Sequence, residues 1–303
     1  MAFRLKAHEP VEDAVRRIAL EQVDRAIAEI DNKRLARDEA VHQARKRCKK
    51  IRAVARLVRP VFGNHYEFEN AFFRDTADEL GGLRDAQVLL KTYDALTEAN
   101  DGIDRRHFNS VRQRLVERSK EVASNTAAQN ERLGKVRKRF SEARARIASW
   151  KLDADGFNAI EGGLLKTYVR GRKAMRLAYE QFSATAFHEW RKRVGYHRYH
   201  VRLLRNLWRP VFQPLRHELE NLADLLGDDH DFAVLHAALT NKSAGFGNGK
   251  DLRSLLDLID CKSAELREKA RLLGERIYVD KPKQLGKRFR AYWTILQKGE
   301  NCT

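Results

Sequence analysis

The stretch HQARKRCKKIRAVARLVRPVF, His42 to Phe62, decides how the chain is read. On a helix turning about 100° per residue, His42, Arg45, Lys46, Lys49, Arg52 and Arg56 share one stripe about 120° wide. Ala44, Cys48, Ile51, Ala55 and Val58 fall on the opposite face. An amphipathic helix of this kind anchors itself by its apolar back and displays a cationic front. From Ala40 to Tyr66 there is no acid, while eight cations are present: Arg45, Lys46, Arg47, Lys49, Lys50, Arg52, Arg56 and Arg59. A solvated helix face would mix signs, because like charges at i,i+3 and i,i+4 cost a few tenths of a kcal/mol each. Five such pairs in this window sum to roughly 1 to 2 kcal/mol, which points to an anion that supplies the missing countercharge.

The stretch occurs twice. HEWRKRVGYHRYHVRLLRNLWRPVF, His188 to Phe212, repeats H-x-x-R-K-R at an offset of 146 and closes on the same R-P-V-F. His188, Arg191, Lys192, Arg198 and Arg202 form its stripe, with Trp190, Val194, Val201 and Leu204 behind, while Gly195 and Tyr196 stand where the first copy has Lys49 and Lys50. Its four additional residues before the proline amount to about one helical turn. Between Glu189 and Glu218 lie another eight cations and no acid, so the two windows hold nearly all of the net +18. Leu80 to Leu89 and Leu226 to Leu235 share L-G-x-x-[RH]-D-x-x-V-L at the same offset of 146. Loops follow at Asn100-Asp101-Gly102 and at Gly245 to Gly249, and K-R-F recurs at Lys138 and Lys287. The expectation is a duplicated unit, 1–152 and 153–303, with the halves related by a pseudo-twofold axis.

Outside these windows, segments such as VEDAVRRIALEQVDRAIAEI from Val11 and LRSLLDLIDCKSAELREKARLL from Leu252 carry apolar residues at i, i+3, i+4 and i+7. Strand-like alternation is scarce, so the fold class is all-α, built as two helical bundles. Pro60 and Pro210 are expected to end the basic helices, and Gly81 and Gly227 of the two L-G pairs to end another helix each. With 43% hydrophobic residues, 5 prolines and 17 glycines in 303, the chain is neither disordered nor collagen-like. Cys48, Cys261 and Cys302 are odd in number and far apart, suggesting neither a disulfide framework nor a zinc site. No apolar leader or membrane-length run is present, so a cytoplasmic protein that does not enter membranes is expected.

Two converging cationic stripes would make a trough or pore for a thin, flexible polyanion. Arg offers bidentate phosphate contacts and Lys an adaptable point charge. His42 and His188 open the stripes and are assigned to the anion. A bound polyanion would raise their pKa values and tighten binding as the pH falls from 8 to 6. His197 points into the apolar face and is read as a hydrogen-bonded core residue. No P-loop, GxSxG or HExxH occurs, and Glu67-Phe68-Glu69 and Glu218-Leu219-Glu220 lack the lysine of an E-x-E-x-K triphosphate tunnel. Asp228-Asp229-His230-Asp231 is the best candidate for a metal-dependent phosphohydrolase, but its repeat partner Gly82-Leu83-Arg84-Asp85 keeps a single acid. The shared Asp85 and Asp231 are read as helix caps or partners of basic side chains. Nucleic acid is the rival ligand, although only Tyr196 and Tyr199 offer aromatic faces on the stripes. An acidic protein partner is a third reading. No cofactor or metal is expected, and the protein is read as a binder rather than an enzyme.

These motifs resemble the CHAD family, the conserved histidine α-helical domain, over nearly the whole chain. The resemblance implies two four-helix bundles around a basic central channel that binds inorganic polyphosphate, often at polyphosphate granules. It implies a binding set of His42, Arg45, Lys46, Lys49, Lys50, Arg52 and Arg56 with His188, Arg191, Lys192, Arg198 and Arg202, the second half-site being weaker for want of basic residues at Gly195 and Tyr196. Tyr168, Arg172 and Lys173 resemble a further basic element of the family. Lys138, Arg139, Lys287 and Arg288 are additional candidates for the channel wall.

Overall fold

A computed structural model describes residues 3–81, 85–98, 108–124, 126–241, 246 and 249–299, without the side chains of 85–86, 122–124 and 126–127. Among these residues there are eleven α-helices and no strand. They are α1 (Val11–Asp31), α2 (Arg37–Leu57), α3 (His65–Asp78), α4 (Asp85–Glu98), α5 (Asn109–Ser124) and α6 (Thr126–Ala148). There follow α7 (Gly156–Gln181), α8 (Ala184–Leu203), α9 (Arg209–Thr240), α10 (Lys250–Ile277) and α11 (Pro282–Gly299). No described helix is long and apolar enough to cross a membrane.

The basic stretches become α2 and α8. Each packs on the helix before it and the helix after it, α2 on α1 and α3, α8 on α7 and α9. Both follow the sequence pattern. Ala40, Ala44, Cys48, Ile51 and Ala55 of α2 are buried, as are Trp190, Val194 and Val201 of α8. One apolar core runs through both halves of the sequence, and a second cluster is shared by α4, α5, α9 and α10. The boundary at 152 falls in the non-helical stretch between α6 and α7, which is clasped from several sides. Leu152 N–H donates to Glu12 (2.8 Å), Asp153 N–H to the Val61 carbonyl (2.9 Å), and Asp155 accepts from Val11 N–H (2.6 Å) at the start of α1. That carboxylate satisfies a donor that the helix itself leaves unpaired.

Three expectations about punctuation are corrected. Gly227 does not end a helix. It lies buried within α9, where a Cβ would stand in ordinary contact, 3.5 Å from the Arg191 guanidinium. Pro210 starts α9 rather than ending α8, a position that suits a residue without N–H. The four additional residues of the second copy form a turn instead of a further helical turn. The Leu203 carbonyl at the end of α8 accepts from Leu5 N–H (2.9 Å), so the N-terminal segment straps the second basic helix. The motif residues Gly82 to Arg84, the loop at Asn100 to Gly102, most of the loop at Gly245 to Gly249 and Cys302 lie outside the described residues.

The approach of α7 to the end of α2 depends on Gly163, where a Cβ would fall 1.9 Å from the Leu57 carbonyl oxygen and 2.5 Å from that of Arg56. Backbone cannot yield as a flexible side chain can, so Gly163→Ala should lower stability by about 3 kcal/mol or more. Gly134 in α6 has nothing within 4 Å, and Gly134→Ala should instead raise stability by about 0.5 to 1 kcal/mol through helix propensity. Denaturant unfolding of the two variants checks both signs, and equal effects would refute the assigned α2–α7 contact.

Candidate anion-binding site

The two cationic helices meet. His200 of α8 is fully buried, and its Nε2 lies 3.0 Å from the Ala53 carbonyl of α2. Arg56 of α2 stacks over the Tyr196 ring of α8 at 4.2 Å, with Arg52 at 6.0 Å from the same ring. Toward the other end of the seam, Lys50 of α2 and Arg202 of α8 both face the Phe3 ring, at 5.6 and 5.8 Å. Cations from both stripes therefore line one seam.

The partners of the two stripes differ in kind. On α2, Arg45 donates to the Ala77 carbonyl (2.7 Å), Arg52 to Asn70 Oδ1 (3.2 Å), and Arg56 to the Tyr66 hydroxyl (3.0 Å) and Asn70 Oδ1 (2.8 Å). These neutral acceptors hold the guanidiniums in place without pairing with their charge, and Asp78 offsets part of that of Arg52 from farther off. On α8, Lys192 and Arg193 both reach Glu189 (2.5 and 3.2 Å), Arg198 shares Glu220 with Arg216 of α9 (3.5 and 3.7 Å), and Arg191 lies 3.8 Å from Asp231. The second stripe is thus partly matched by carboxylates, two of which flank or follow its acid-free window. Burial, the largest influence on each, lowers the pKa values of Arg52 and Arg202, and Arg216 adds to the effect on Arg202.

Several expected site residues are placed elsewhere. Lys50 is only 5% exposed and lies beneath the stripe. Burial, then Arg47, Arg202 and Lys46, push its ammonium down to about 7, so near neutral pH it holds only part of a charge. Arg47 turns away from the stripe to pair with Glu29 and Gln22. Tyr168 is a core residue whose hydroxyl donates to the Asp280 carbonyl (2.9 Å), and Tyr199 is buried against Phe3. Arg139 clamps α6 to α3 through Thr76 (2.7 Å) and the Phe72 carbonyl (3.2 Å), and Arg288 pairs with Asp280 (2.5 Å). Lys138, Arg172, Lys173 and Lys287 are exposed. His42 and Lys46 are half-buried on α2, and Lys49 is exposed.

His188 meets a residue outside the expected set: its Nδ1 lies 3.1 Å from Nδ1 of His230 in α9. Burial, then the paired ring, Lys192 and Arg191 hold His188 at about 4. His230 is also held at about 4, by burial, Arg191, Lys192 and Lys49. A pair held so low shifts any gain in anion affinity from the expected window, pH 8 to 6, to below about pH 6. His197 is buried between Tyr168 and Tyr278, as expected of a core residue, but its Nδ1 has no hydrogen-bond partner, and burial lowers it to about 4.

The four side chains of Asp228 to Asp231 diverge. Asp229 is buried against Arg267 (2.7 Å), His230 faces His188, Asp231 faces Arg191, and Asp228 is exposed. Asp231 sits within α9 and so orients a cation instead of capping a helix. Among the described residues no three His, Cys, Asp or Glu side chains are grouped as a metal ion would need.

Sequence reasoning also missed a second gathering of positive charge. Around the C-terminal end of α2, Arg56 and Arg59 converge with Lys166 and Arg170 of α7 and Arg193 of α8 beside Tyr196. Arg59 and Arg193 belong to the two acid-free windows, a usable signal. Lys166 and Arg170 belong to α7, whose approach depends on Gly163.

A family model of the CHAD domain matches residues 17–240, which takes in both basic helices and α9. The chain belongs to the CHAD domain family. No curated protein matches the sequence.

The buried titratable groups fix a pH profile of stability. Lys50 holds a proton up to about pH 10.4 when unfolded but only to about 7 when folded. The unfolded chain therefore binds the additional proton between these values, and stability should rise from pH 7 to 10. His188, His197 and His230 at about 4 and His200 at about 3 protonate near 6.5 once unfolded, so stability should fall as the pH drops from 6.5 to 4. Lys50→Met should flatten the alkaline limb and add about 1 to 3 kcal/mol at pH 7. Denaturant midpoints across pH check this, and an unaltered alkaline limb would show that Lys50 is not buried as a cation.

Proposed function

We propose that this CHAD-domain protein binds inorganic polyphosphate, without cleaving it, in the seam between α2 and α8. One observation carries the reading: Arg45, Arg52 and Arg56 are held by neutral acceptors, and Arg52 and Arg56 face a second cationic helix. Folding like charges together costs free energy that an anion laid between them returns. A polymer with one charge per repeat, no bulky side groups and a flexible backbone fits a narrow seam of guanidiniums spaced along two helices. Arg forks suit its non-bridging oxygens. The first half-site is the stronger, since Glu189, Glu220 and Asp231 already offset part of the second.

Two observations favour polyphosphate over nucleic acid. Tyr199 is buried, and Tyr196 already carries Arg56 on its face, so neither ring is open to a base. A binding role fits the carboxylates nearest the seam, each of which faces Arg or Lys, because phosphoanhydride cleavage ordinarily calls for acids that hold metal ions. The protein would act in the cytoplasm, at polyphosphate granules where these form.

Labelled long-chain polyphosphate titrated in about 0.15 M salt, where screening suppresses loose electrostatic association, tests the assignment. Polyphosphate should resist displacement by RNA, DNA or polyglutamate at equal charge, and preference for nucleic acid would overturn the reading. Arg45→Glu with Lys46→Glu should weaken binding at least tenfold, or about 1.4 kcal/mol, and more than the Arg198→Glu change does. Binding that survives both changes would remove α2 from the site.

Affinity should also respond to acid. Protonation of the His188–His230 pair becomes easier once a polyanion lies nearby, so the dissociation constant should fall as the pH drops from 6 to 4.5. The change between pH 8 and 6.5 should be small by comparison. His188→Gln should blunt the acid response, and an identical profile in that variant would place His188 away from the polymer.

A further inference from the structure

The cationic pocket at the C-terminal end of α2 differs in shape from the seam it adjoins. The seam runs along two helices, whereas the pocket is a partly open space of about 20 Å³ ringed by Arg56, Arg59, Lys166, Arg170, Arg193 and Tyr196. That is room for one or two oxygens of a single phosphate group seated at its mouth, not for a run of phosphates. Beneath it Gly163 is pressed against the Leu57 and Arg56 carbonyls, so α7 and α2 leave no passage between their backbones there. Arg56 belongs both to the α2 stripe and to the pocket wall, so the two sites adjoin.

Five cations around so small a space crowd one another. Arg59 lowers the pKa of Lys166, with burial and Arg170 adding to it, while burial, Arg193, Arg59 and Arg56 lower that of Arg170. Glu189 takes part of the charge of Arg193 at 3.2 Å. The carbonyl end of α2 contributes roughly half a negative charge, which the five cations outweigh several times over. What remains is a compact site for one group of higher charge than its neighbours.

A linear phosphate polymer has such a group only at its ends. An internal phosphate has two non-bridging oxygens and a single negative charge. A terminal phosphate has three, and its second ionisation lies close to neutrality, as in phosphate monoesters. We propose that the pocket formed by Arg56, Arg59, Lys166, Arg170 and Arg193 receives the terminal phosphate of the chain that lies in the seam. This rests on the polyphosphate reading and adds to it a polarity and a stop: the polymer enters by its end and halts at Gly163. Lys166 and Arg170 act on the terminal group alone, while Arg45 and Lys46 act along the chain.

The test uses the whole protein and two forms of one short linear polyphosphate, one with free ends and one with both terminal phosphates capped as phosphoramidates of a small neutral amine. Capping removes one ionisable oxygen from each end and leaves the internal phosphates untouched. The protein should bind the free-ended chain at least tenfold more tightly than the capped one, as befits a lost charge-assisted contact. Lys166→Ala with Arg170→Ala should lower affinity for the free-ended chain and abolish the difference between the two forms. Equal affinity of the unaltered protein for both forms would overturn the end-anchoring proposal while leaving the seam intact. Failure of both forms and of long chains to bind would overturn the polyphosphate reading itself. The comparison on the unaltered protein needs no variant, so it stands even if the double variant folds poorly.

Discussion

The site depends on the crossing of α2 and α8, where apolar packing forces two helices of like charge together. His200, neutral and buried, lies against the Ala53 carbonyl at the crossing, and the buried faces on either side leave the helices no freedom to part. Repulsion between exposed charges is worth tenths of a kcal/mol per pair, whereas each buried Ile, Val or Trp contributes on the order of 1.5 to 3 kcal/mol. The apolar term wins, and the repulsion is stored instead of relieved. Burial is the largest influence lowering the pKa values of Lys50, Arg52, Arg170 and Arg202, and neighbouring cations add to it.

The fold tolerates this charge in two ways, and the ways have different consequences for a ligand. Around α2 it supplies neutral acceptors, Asn70, Tyr66 and the Ala77 carbonyl, which fix direction without cancelling charge. Around α8 it supplies carboxylates. In the proposed reading a ligand at the first helix would gain the stronger attraction, while at the second it would have to compete with Glu189 and Glu220. The two helices thus share one sequence pattern but differ in the charge their surroundings leave uncompensated.

How much of this was legible in the sequence depended on whether a feature is local or tertiary. The helical period, the repeat at offset 146 and the cationic stripe are properties of short stretches, and α2 and α8 form where these placed them. Lys50 could not be placed by periodicity alone, since a residue at the margin of a stripe is buried or exposed according to what packs there, and Phe3 from the distant N-terminus packs there. Arg47 stands within the cationic run yet is claimed by Glu29 of α1, an acid eighteen residues away. Tyr168 and Tyr199 look like available aromatics until α11's neighbourhood and the N-terminal segment cover them. Gly227 has the local signature of a helix end, but it lies within α9 beside Arg191 of another helix. The family assignment survived these errors because it rested on the repeated local pattern.

The pocket at the end of α2 shows why the α7 cations escaped notice. Lys166 and Arg170 sit among residues of both signs, with Glu161 and Glu180 on the same helix, and nothing in their spacing marks them out. They become a site only because Gly162 and Gly163 let α7 press against Pro60 and the last carbonyls of α2. A pair of glycines that reads as mere helix weakness is thus what carries two cations to a third helix end. Close backbone approach of this kind is rigid, since a Cβ at Gly163 would meet carbonyl oxygens rather than side chains. The cations converge on a fixed point, and in the proposed reading a fixed point of high charge would select for a compact, highly charged group where the seam would select only for a line of charge.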